Sequence, residues 1–348
     1  MKRLKYSHYL FLLLIPVILS YAQFSESSDN DTTTRISREV KIDNHDLKHS
    51  MPDSQFIEHF NAEDFQDSLS VPVDSASLVT PDSSEQVDVD TSAESFTLDS
   101  LLIPVVNNAF RVGEKLHYAL KYEFIKAGNV QFEVKEGIAT NGQPCYHIIS
   151  TANSTRTFDW IYKVRDRVES LVDKRSLFSW QYKKQLREGG YKFDLEVKYD
   201  HLSEEAFVKA IRYHSDMTIR KKEAYTVQIP RYVRDVFGTL YYLRTQLMET
   251  GKPIFVSNHD NRKVYDLRII IEAEEVVKVK AGKFRCVRVQ PVLEGEAIFK
   301  QQGRLWVWFT DDDRKIPVKL KSKAVIGAFH ADLEKFEGIN GSIDAKLD

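Results

Sequence analysis

The sequence predicts a mainly β protein, with an antiparallel barrel-like or strongly curved sheet, one central α-helix and a preceding disordered acidic tail. Apolar and polar residues alternate along about a dozen segments after residue 108, and short turns separate most of these segments. Only Pro230–Met248 has the longer spacing that is typical of a helix. The region before residue 108 is acidic and poor in aromatic residues, which is typical of disorder.

The N-terminus has the pattern of an export signal. Lys2, Arg3 and Lys5 precede the apolar run Tyr9–Leu19, and Ser20–Ala22 has small residues at its first and third positions, as cleavage requires. An uncleaved anchor is the alternative, but this run is shorter than the about 20 residues that a membrane span needs. We therefore predict a signal peptide over 1–22, no transmembrane span after its cleavage, and a location in the periplasm or at the outer-membrane periphery.

A disordered acidic linker is predicted over 23–107. It contains 18 acidic and 4 basic residues, a net charge of −14, and too few apolar side chains to offset the entropy of ordering. The β-rich domain is predicted over 108–336 and a loose C-terminus over 337–348. From residue 108 onward, 42 basic and 33 acidic residues give a net charge of +9. This charge favours an anionic lipid or other envelope component as partner, and the export signal argues against nucleic acid.

The domain reads as a succession of strands, most of them joined as hairpins. Period-two alternation is clearest over Tyr191–Tyr199, where five apolar residues alternate with four charged ones. The predicted strands are Leu116–Phe124, Val130–Lys135, Tyr146–Ser150, Val164–Val172, Leu177–Leu186, Tyr191–Tyr199, Phe207–Tyr213, Ala224–Ile229, Val264–Val279, Phe284–Val292, Ala297–Gln301, Arg304–Thr310 and Pro317–Val325.

The helix predicted over Pro230–Met248 is the element around which the sheet is expected to curve. Its apolar face is formed by Val233, Val236, Phe237, Leu240, Leu243 and Leu247. Pro230 is placed just before or inside the first turn, and Asp235 near the positive end of the helix dipole. Gly238 weakens a helix interior by roughly 1 kcal/mol relative to Ala, which indicates close contact with a strand.

Two cysteines, Cys145 and Cys286, lie in apolar strand-like contexts. Both are expected to be small buried hydrophobic residues, and a disulfide between them is the alternative in an oxidising compartment. The usual motifs of nucleophilic, phosphate-binding, dinucleotide-binding and metal-dependent enzymes are absent from the sequence. No catalytic residue, metal ligand or cofactor is therefore predicted.

Five residues are candidates for binding a ligand. Trp306 and Trp308 point to one side of their strand, and with Phe237 and Tyr241 they are expected to line an apolar cavity or to pack in the core. Arg244, one helical turn after Tyr241, is the charged candidate beside them.

An ordered set of segments resembles the bacterial exported proteins of domain-of-unknown-function family 3108. These segments are Phe110–Leu116, Ala127-Gly128, Trp180, Pro230–Asp235, Tyr241–Arg244, Ala281–Cys286, Pro291, Leu305–Asp312 and Ile316–Val318. The resemblance spans roughly Asn108–Phe336 and implies an exported, mostly β domain with no assigned activity. Its architecture is also similar to that of the curved-sheet lipoprotein carriers of the periplasm, although this chain lacks their lipid-bearing cysteine.

Three functions are compatible with these observations. The first is a non-enzymatic envelope protein that binds a lipid or other amphiphile in a groove between sheet and helix. The second is a module that binds envelope proteins or glycans, with the acidic tail as a leash. The third is a hydrolase with an unrecognised site, which would need a perturbed carboxylate or histidine in a cleft.

Overall fold

Alternating apolar residues build one long antiparallel sheet. The computed structural model describes residues 39–40, 100, 102–293, 304–323 and 328–347. The strands are β1 (Glu39–Val40), β2 (Lys115–Tyr122), β3 (Ile125–Ile138), β4 (Pro144–Ser154), β5 (Arg165–Asp173), β6 (Ser179–Glu188), β7 (Tyr191–Asp200), β8 (Glu205–Tyr213), β9 (Ile219–Gln228), β10 (Ile254–Asp260), β11 (Lys263–Val279), β12 (Gly282–Leu293), β13 (Arg304–Thr310), β14 (Pro317–Lys323) and β15 (Ala328–Glu337). Two helices lie within these ranges, the four-residue α1 (Arg156–Asp159) and the eight-residue α2 (Val236–Leu243).

The strand order is β1-β9-β8-β7-β6-β5-β4-β3-β2-β15-β14-β13-β12-β11-β10. Each strand from β2 to β9 pairs with the next, the same holds from β10 to β15, and β15 pairs with β2. The edges of the sheet are therefore β10 and the β9 side, and the segment that joins these two edges in sequence carries α2. Within the described residues no backbone ladder joins the two edges, so the sheet is not closed.

Side chains connect the β10 edge to the other half of the sheet where backbone pairing does not. Lys184 of β6 donates to both carboxylate oxygens of Asp260 at the end of β10, at 2.8 and 2.9 Å. Tyr199 of β7 and His259 of β10 share a hydrogen bond of 3.2 Å. Nearer the surface, Arg262 in the β10–β11 turn is ion-paired with a glutamate of β9 at 2.6 Å. These contacts show that the sheet curves strongly and brings β10 close to β6, β7 and β9 around a helix on the concave side.

Helix α2 is shorter than the sequence predicts. The Asp235 side chain is the N-cap and accepts from the backbone N–H of Phe237 and of Gly238, so Pro230 lies five residues before the cap. The helix ends at Leu243, and Leu247, expected on the apolar face, is 75% exposed. The close contact expected at Gly238 is confirmed: a Cβ there would lie 2.6 Å from Ser179 Oγ of β6.

Helix α2 packs on several strands of the concave surface. Phe237 meets Phe132 of β3 with ring centroids 5.4 Å apart, and Tyr241 meets Phe110, before β2, at 4.8 Å. On the other side Thr239 accepts a hydrogen bond of 2.9 Å from Asn258 of β10. The expected helix-and-curved-sheet arrangement is therefore present.

The sequence prediction missed strands β10 and β15, whose alternation is interrupted by polar and small residues. It also placed the ends of the domain too far inward. Residues 102–107, assigned to the linker, begin with the buried Leu102, and Val105 N–H donates to the Arg175 carbonyl. Within the same predicted linker, β1 pairs with β9.

The C-terminus is held against β12 and is not loose as predicted. Arg285 N–H donates to the carbonyl of Ala345, which is fully buried, and Leu347 N–H donates to the carbonyl of Lys283. The predicted signal peptide, most of the predicted linker and the predicted strand Ala297–Gln301 lie outside the described residues.

Cys145 and Cys286 are buried free thiols, as the interpretation without a disulfide expects. Burial raises the pKa of each thiol to about 12. In the part of the chain that the structure describes, no helix combines the length and the apolar character needed to cross a bilayer.

Candidate functional site

An apolar cavity of about 90 Å³ lies between α2 and strands β10–β14. Twelve of the sixteen lining residues are hydrocarbon in character: Val236, Leu240, Leu243, Leu267, Ile269, Val289, Pro291, Leu293, Leu305, Val307, Phe309 and Leu320. The floor, which includes Ile269, Val289 and Phe309, is buried, whereas Leu267, Pro291 and Leu293 are half-buried. The cavity therefore opens towards the end of the sheet where β12 finishes.

Strand β13 contributes the side of the cavity opposite α2, but not through its tryptophans. Successive residues of a strand point to opposite faces, so Leu305, Val307 and Phe309 line the cavity while Trp306 and Trp308 face away. Trp308 packs in a separate cluster on the other face and donates to Glu275 Oε1 at 2.7 Å. The cavity therefore lies on the face of β13 opposite to its two tryptophans.

The three helix candidates also lie outside the cavity lining. Phe237 and Tyr241 are core residues on the side of α2 that faces β3 and Phe110. The helix residues that do line the cavity are Val236, Thr239, Leu240 and Leu243. This follows from helical geometry, because positions three and four apart share a face and Phe237 and Tyr241 occupy a neighbouring one.

Arg244 is fully buried and has a structural partner. Its guanidinium donates to both oxygens of Glu114, at 2.6 and 2.8 Å, and to the carbonyl of Ala109. Burial would lower the pKa of Arg244, but Glu114 outweighs this effect and the pKa is raised. The pair fixes the C-terminal end of α2 to the segment before β2. Like the other four candidates, Arg244 is not part of the cavity lining.

Four polar residues form one side of the cavity: Thr239, Asn258, Asp260 and Tyr265. Asp260 is bound to Lys184, and both side chains are at least nine-tenths buried. Burial raises the pKa of Asp260, and the neighbouring ammonium group opposes this shift. The cavity thus has a hydrocarbon part, a side with hydrogen-bonding groups, and one ion pair whose two charges cancel. Such a combination of apolar and polar groups is suited to an amphiphile.

The N-cap Asp235 fixes α2 to the polar part of the sheet. Ser170 of β5 donates to its carboxylate, and the backbone N–H of Asp235 donates to Ser179 of β6 at 2.9 Å. Burial raises the pKa of Asp235, and hydrogen bonds to its carboxylate oppose the shift, with the largest effect from Ser170. Both termini of the helix are therefore held by buried polar contacts.

A pair of buried carboxyl groups lies on inner positions of β5 and β6. Burial raises the pKa of Asp166 to about 6, and burial together with Asp166 raises the pKa of Glu188 well above its usual range. Within the described chain, Asp166 Oδ2 and Glu188 Oε2 have no other hydrogen-bond partner, so one shared proton would satisfy both. Neither residue lines the cavity.

Sequence reasoning missed the polar residues of the site. Lys184 is not among the predicted candidates, although it occupies the same face of β6 as Tyr182 and Leu186. That alternation is the signal that would have placed Lys184 inside the sheet. Asn258 and Asp260 had no such signal, because strand β10 was not predicted.

Comparison with known proteins identifies a family and several distant structures. The sequence profile described as protein of unknown function (DUF3108) matches residues 117–334. A search among curated proteins finds no match. A β-barrel-like protein of domain of unknown function DUF1849 from Brucella abortus is 8% identical with a TM-score of 0.44, and the alignment covers 67% of this chain and 100% of that one.

Two further structures are similar over about the same share of this chain. A candidate exported protein with a YmcC-like fold from Bacteroides fragilis is 9% identical, with a TM-score of 0.29 and coverage of 67% of this chain and 99% of that one. A candidate lipoprotein from Parabacteroides distasonis is 10% identical, with a TM-score of 0.28 and coverage of 68% and 97%.

Proposed function

The chain belongs to the DUF3108 family, and we propose that it is a non-enzymatic envelope protein that binds the apolar chain of an amphiphile beneath α2. The observation that carries the proposal is the lining of the cavity, which is hydrocarbon at twelve of its sixteen residues. The hydrocarbon part of such a cavity accepts apolar guests, because water beside it finds few hydrogen-bond partners. The N-terminal export pattern is the reason for proposing an envelope location.

The size of the cavity limits what fits inside it. A space of about 90 Å³ is smaller than the roughly 150 Å³ cavity that accepts benzene, so it takes the end of an alkyl chain and not a whole lipid. The rest of a longer chain would leave past Leu267 and Leu293. Affinity should therefore rise with the first methylene groups, by about 0.8 kcal/mol for each one buried, and then level off.

This chain-length dependence can be measured by calorimetry with a series of linear fatty acids. A variant that fills the cavity, Val307→Phe, should lose binding. The matched control is Val276→Phe, the same change at a half-exposed outward position of β11. Equal binding by both variants, or no uptake of any fatty acid by the parent protein, would refute the proposal.

A further inference from the structure

Three turns at one end of the sheet carry exposed apolar side chains. The β2–β3 turn has Phe124 and Ile125, the β4–β5 connection has Trp160 and Ile161, and the β8–β9 turn has Met217 and Ile219. Phe124 is 94% exposed and Trp160 is 92% exposed. These six residues are called the apolar rim, and they share one end because alternate turns of an antiparallel meander lie on the same side.

The first two of these turns are direct neighbours. Thr155, at the start of the β4–β5 connection, donates its N–H to the carbonyl of Ala127, just beyond the β2–β3 turn. Gly128 of β3 pairs with Ser154 of β4 at the same level. Phe124 and Trp160 thus project from adjacent parts of the rim.

The fold does not require apolar residues at these tips. A two-residue hairpin turn favours Gly, Asn or Asp, yet here the turn is Glu123-Phe124 and Glu123 has a φ of 51°. In the β4–β5 connection Phe158 is buried and supplies the packing, whereas Trp160, two residues later, contributes almost none. Side chains that are exposed at a cost and without a packing role mark a contact surface.

Cationic residues stand beside every part of the rim. Exposed Arg156 and Lys163 flank Trp160, exposed Lys126 follows Ile125, and exposed Arg220 and Lys221 follow Ile219. The acidic Asp159 near Trp160 is bound to Arg165 at 2.7 Å. Tryptophan and phenylalanine with adjacent lysine and arginine are the residues that partition into the headgroup region of an anionic bilayer.

The layout of the rim distinguishes a membrane from a protein partner. Protein interfaces are built around a continuous, closely packed core. The apolar rim instead consists of separate tips on three turns, with charged residues between them. A fluid lipid surface can accommodate such separated tips, because lipid headgroups rearrange around each one.

We propose that the apolar rim docks this protein onto an anionic phospholipid membrane. The strand order β2, β15, β14, β13, β12 places the C-terminal end of β2 at the same end as Leu293 of β12. Docking would therefore turn the mouth of the α2 cavity towards the bilayer. Only this last consequence rests on the proposed function, since the rim itself would bind lipid with an empty cavity.

The chain contains its own reporter for docking. Of its four tryptophans, Trp160 is exposed, while Trp180, Trp306 and Trp308 are buried or half-buried. Vesicles of phosphatidylglycerol and phosphatidylcholine should shift the tryptophan emission to the blue, and brominated lipids should quench it. Vesicles of phosphatidylcholine alone should give a weaker response, and added salt should reduce binding to the anionic ones.

Substitutions test which surface is used. Trp160→Ser and Phe124→Ser should each lower the partition of the protein onto anionic vesicles about tenfold, measured by flotation, because each removes one inserted ring. The control is Val276→Ser on β11, which removes an apolar side chain that is 53% exposed and lies opposite Arg285, eight residues along β12 from Leu293. Thermal melts of all three variants should match that of the parent, since these side chains are exposed.

Three outcomes would overturn the proposal. The parent protein could ignore anionic vesicles, in which case the rim serves a protein partner. Val276→Ser could weaken binding as much as the rim variants, or the rim variants could bind like the parent. Fatty-acid uptake by the rim variants should equal that of the parent, which separates failure of this proposal from failure of the ligand-binding proposal.

Discussion

The concave surface of the sheet has two walls of different polarity. In both, every second residue of a strand points inward. The polar wall consists of the inner positions of β5 and β6, among them Asp166, Ser170, Lys184 and Glu188. The apolar wall consists of the inner positions of β11–β14, among them Ile269, Val289, Val307 and Phe309. Both are buried, but only the second borders the cavity at most of its inner positions.

The contrast explains why empty space collects on one side of α2. Hydrogen bonds have preferred lengths and directions, so the contacts of Asp235 with Ser170 and Ser179 determine where the helix sits. Apolar contacts have no such directionality. We infer that the polar wall sets the position of the helix and that the apolar wall is left with the remaining gap.

The largest expected effect is a charge on the apolar wall. Leu240→Asp would place a carboxylate among the hydrocarbon side chains of the cavity without a cationic partner, and the protein should fail to fold. Circular dichroism and thermal melts measure this. Leu247→Asp is the control, because Leu247 is exposed and its substitution should leave the melting temperature nearly unchanged. A Leu240→Asp variant that melts like the parent would contradict the helix-centred architecture.

The next effect concerns the ion pair where the two walls meet. Lys184→Met leaves Asp260 buried without its partner and should cost about 3 to 5 kcal/mol of unfolding free energy. The double variant Lys184→Met/Asp260→Leu removes both charges and should recover most of that loss. Urea denaturation gives both values. If the double variant is less stable than Lys184→Met, the two side chains stabilise the fold by more than cancelling each other's buried charge.

A smaller effect is expected from truncation on the apolar wall. Leu240→Ala should cost about 2 to 5 kcal/mol, towards the lower end because one side of Leu240 already faces empty space. The same variant enlarges the cavity and should bind longer fatty-acid chain ends. A loss above this range, measured by urea denaturation, would mean that Leu240 packs more fully than the cavity implies.

The smallest effect is the pH dependence of the polar wall. Burial raises the pKa of Asp166 to about 6, so the folded state holds a proton that the unfolded state releases. The contribution of Asp166 to the free energy of unfolding therefore falls by about 1 to 3 kcal/mol as the pH rises from about 4 through 6. Asp166→Asn removes it, and the variant should gain stability relative to the parent between pH 4.5 and pH 7.

Two buried histidines work in the opposite direction. Burial lowers the pKa of His201 and of His259 to about 4, so stability is lost as the pH falls from 6.5 towards 4. These contributions are present in the parent and in Asp166→Asn alike. The difference between the two proteins therefore isolates the carboxyl pair, and identical pH profiles would show that Asp166 is ionised throughout.

Much of the fold could be predicted because period-two alternation reports which strand face is buried. The same signal predicted the strand Arg304–Thr310. It could not show which face of this strand lines a cavity, since both faces of β13 carry large apolar residues. The predicted helix is too long because the helical spacing of apolar residues continues past Leu243, to Leu247. In the structure the helix ends at Leu243, and Arg244 forms a buried ion pair with Glu114. That pairing joins positions 130 residues apart, which no local pattern can reveal.

The pairing of β15 with β2 also bears on the order in which the domain folds. Leu116 lies opposite Phe336, a separation of 220 residues, whereas β2 to β9 are joined by short connections to their neighbours. Closing a long loop lowers the chain entropy before stabilising contacts have formed. We therefore expect the β2–β9 meander to form early and β15 to add late. Until residues 328–337 arrive, the outer edge of β2 stands open, and refolding experiments should show this interval as the period most prone to aggregation.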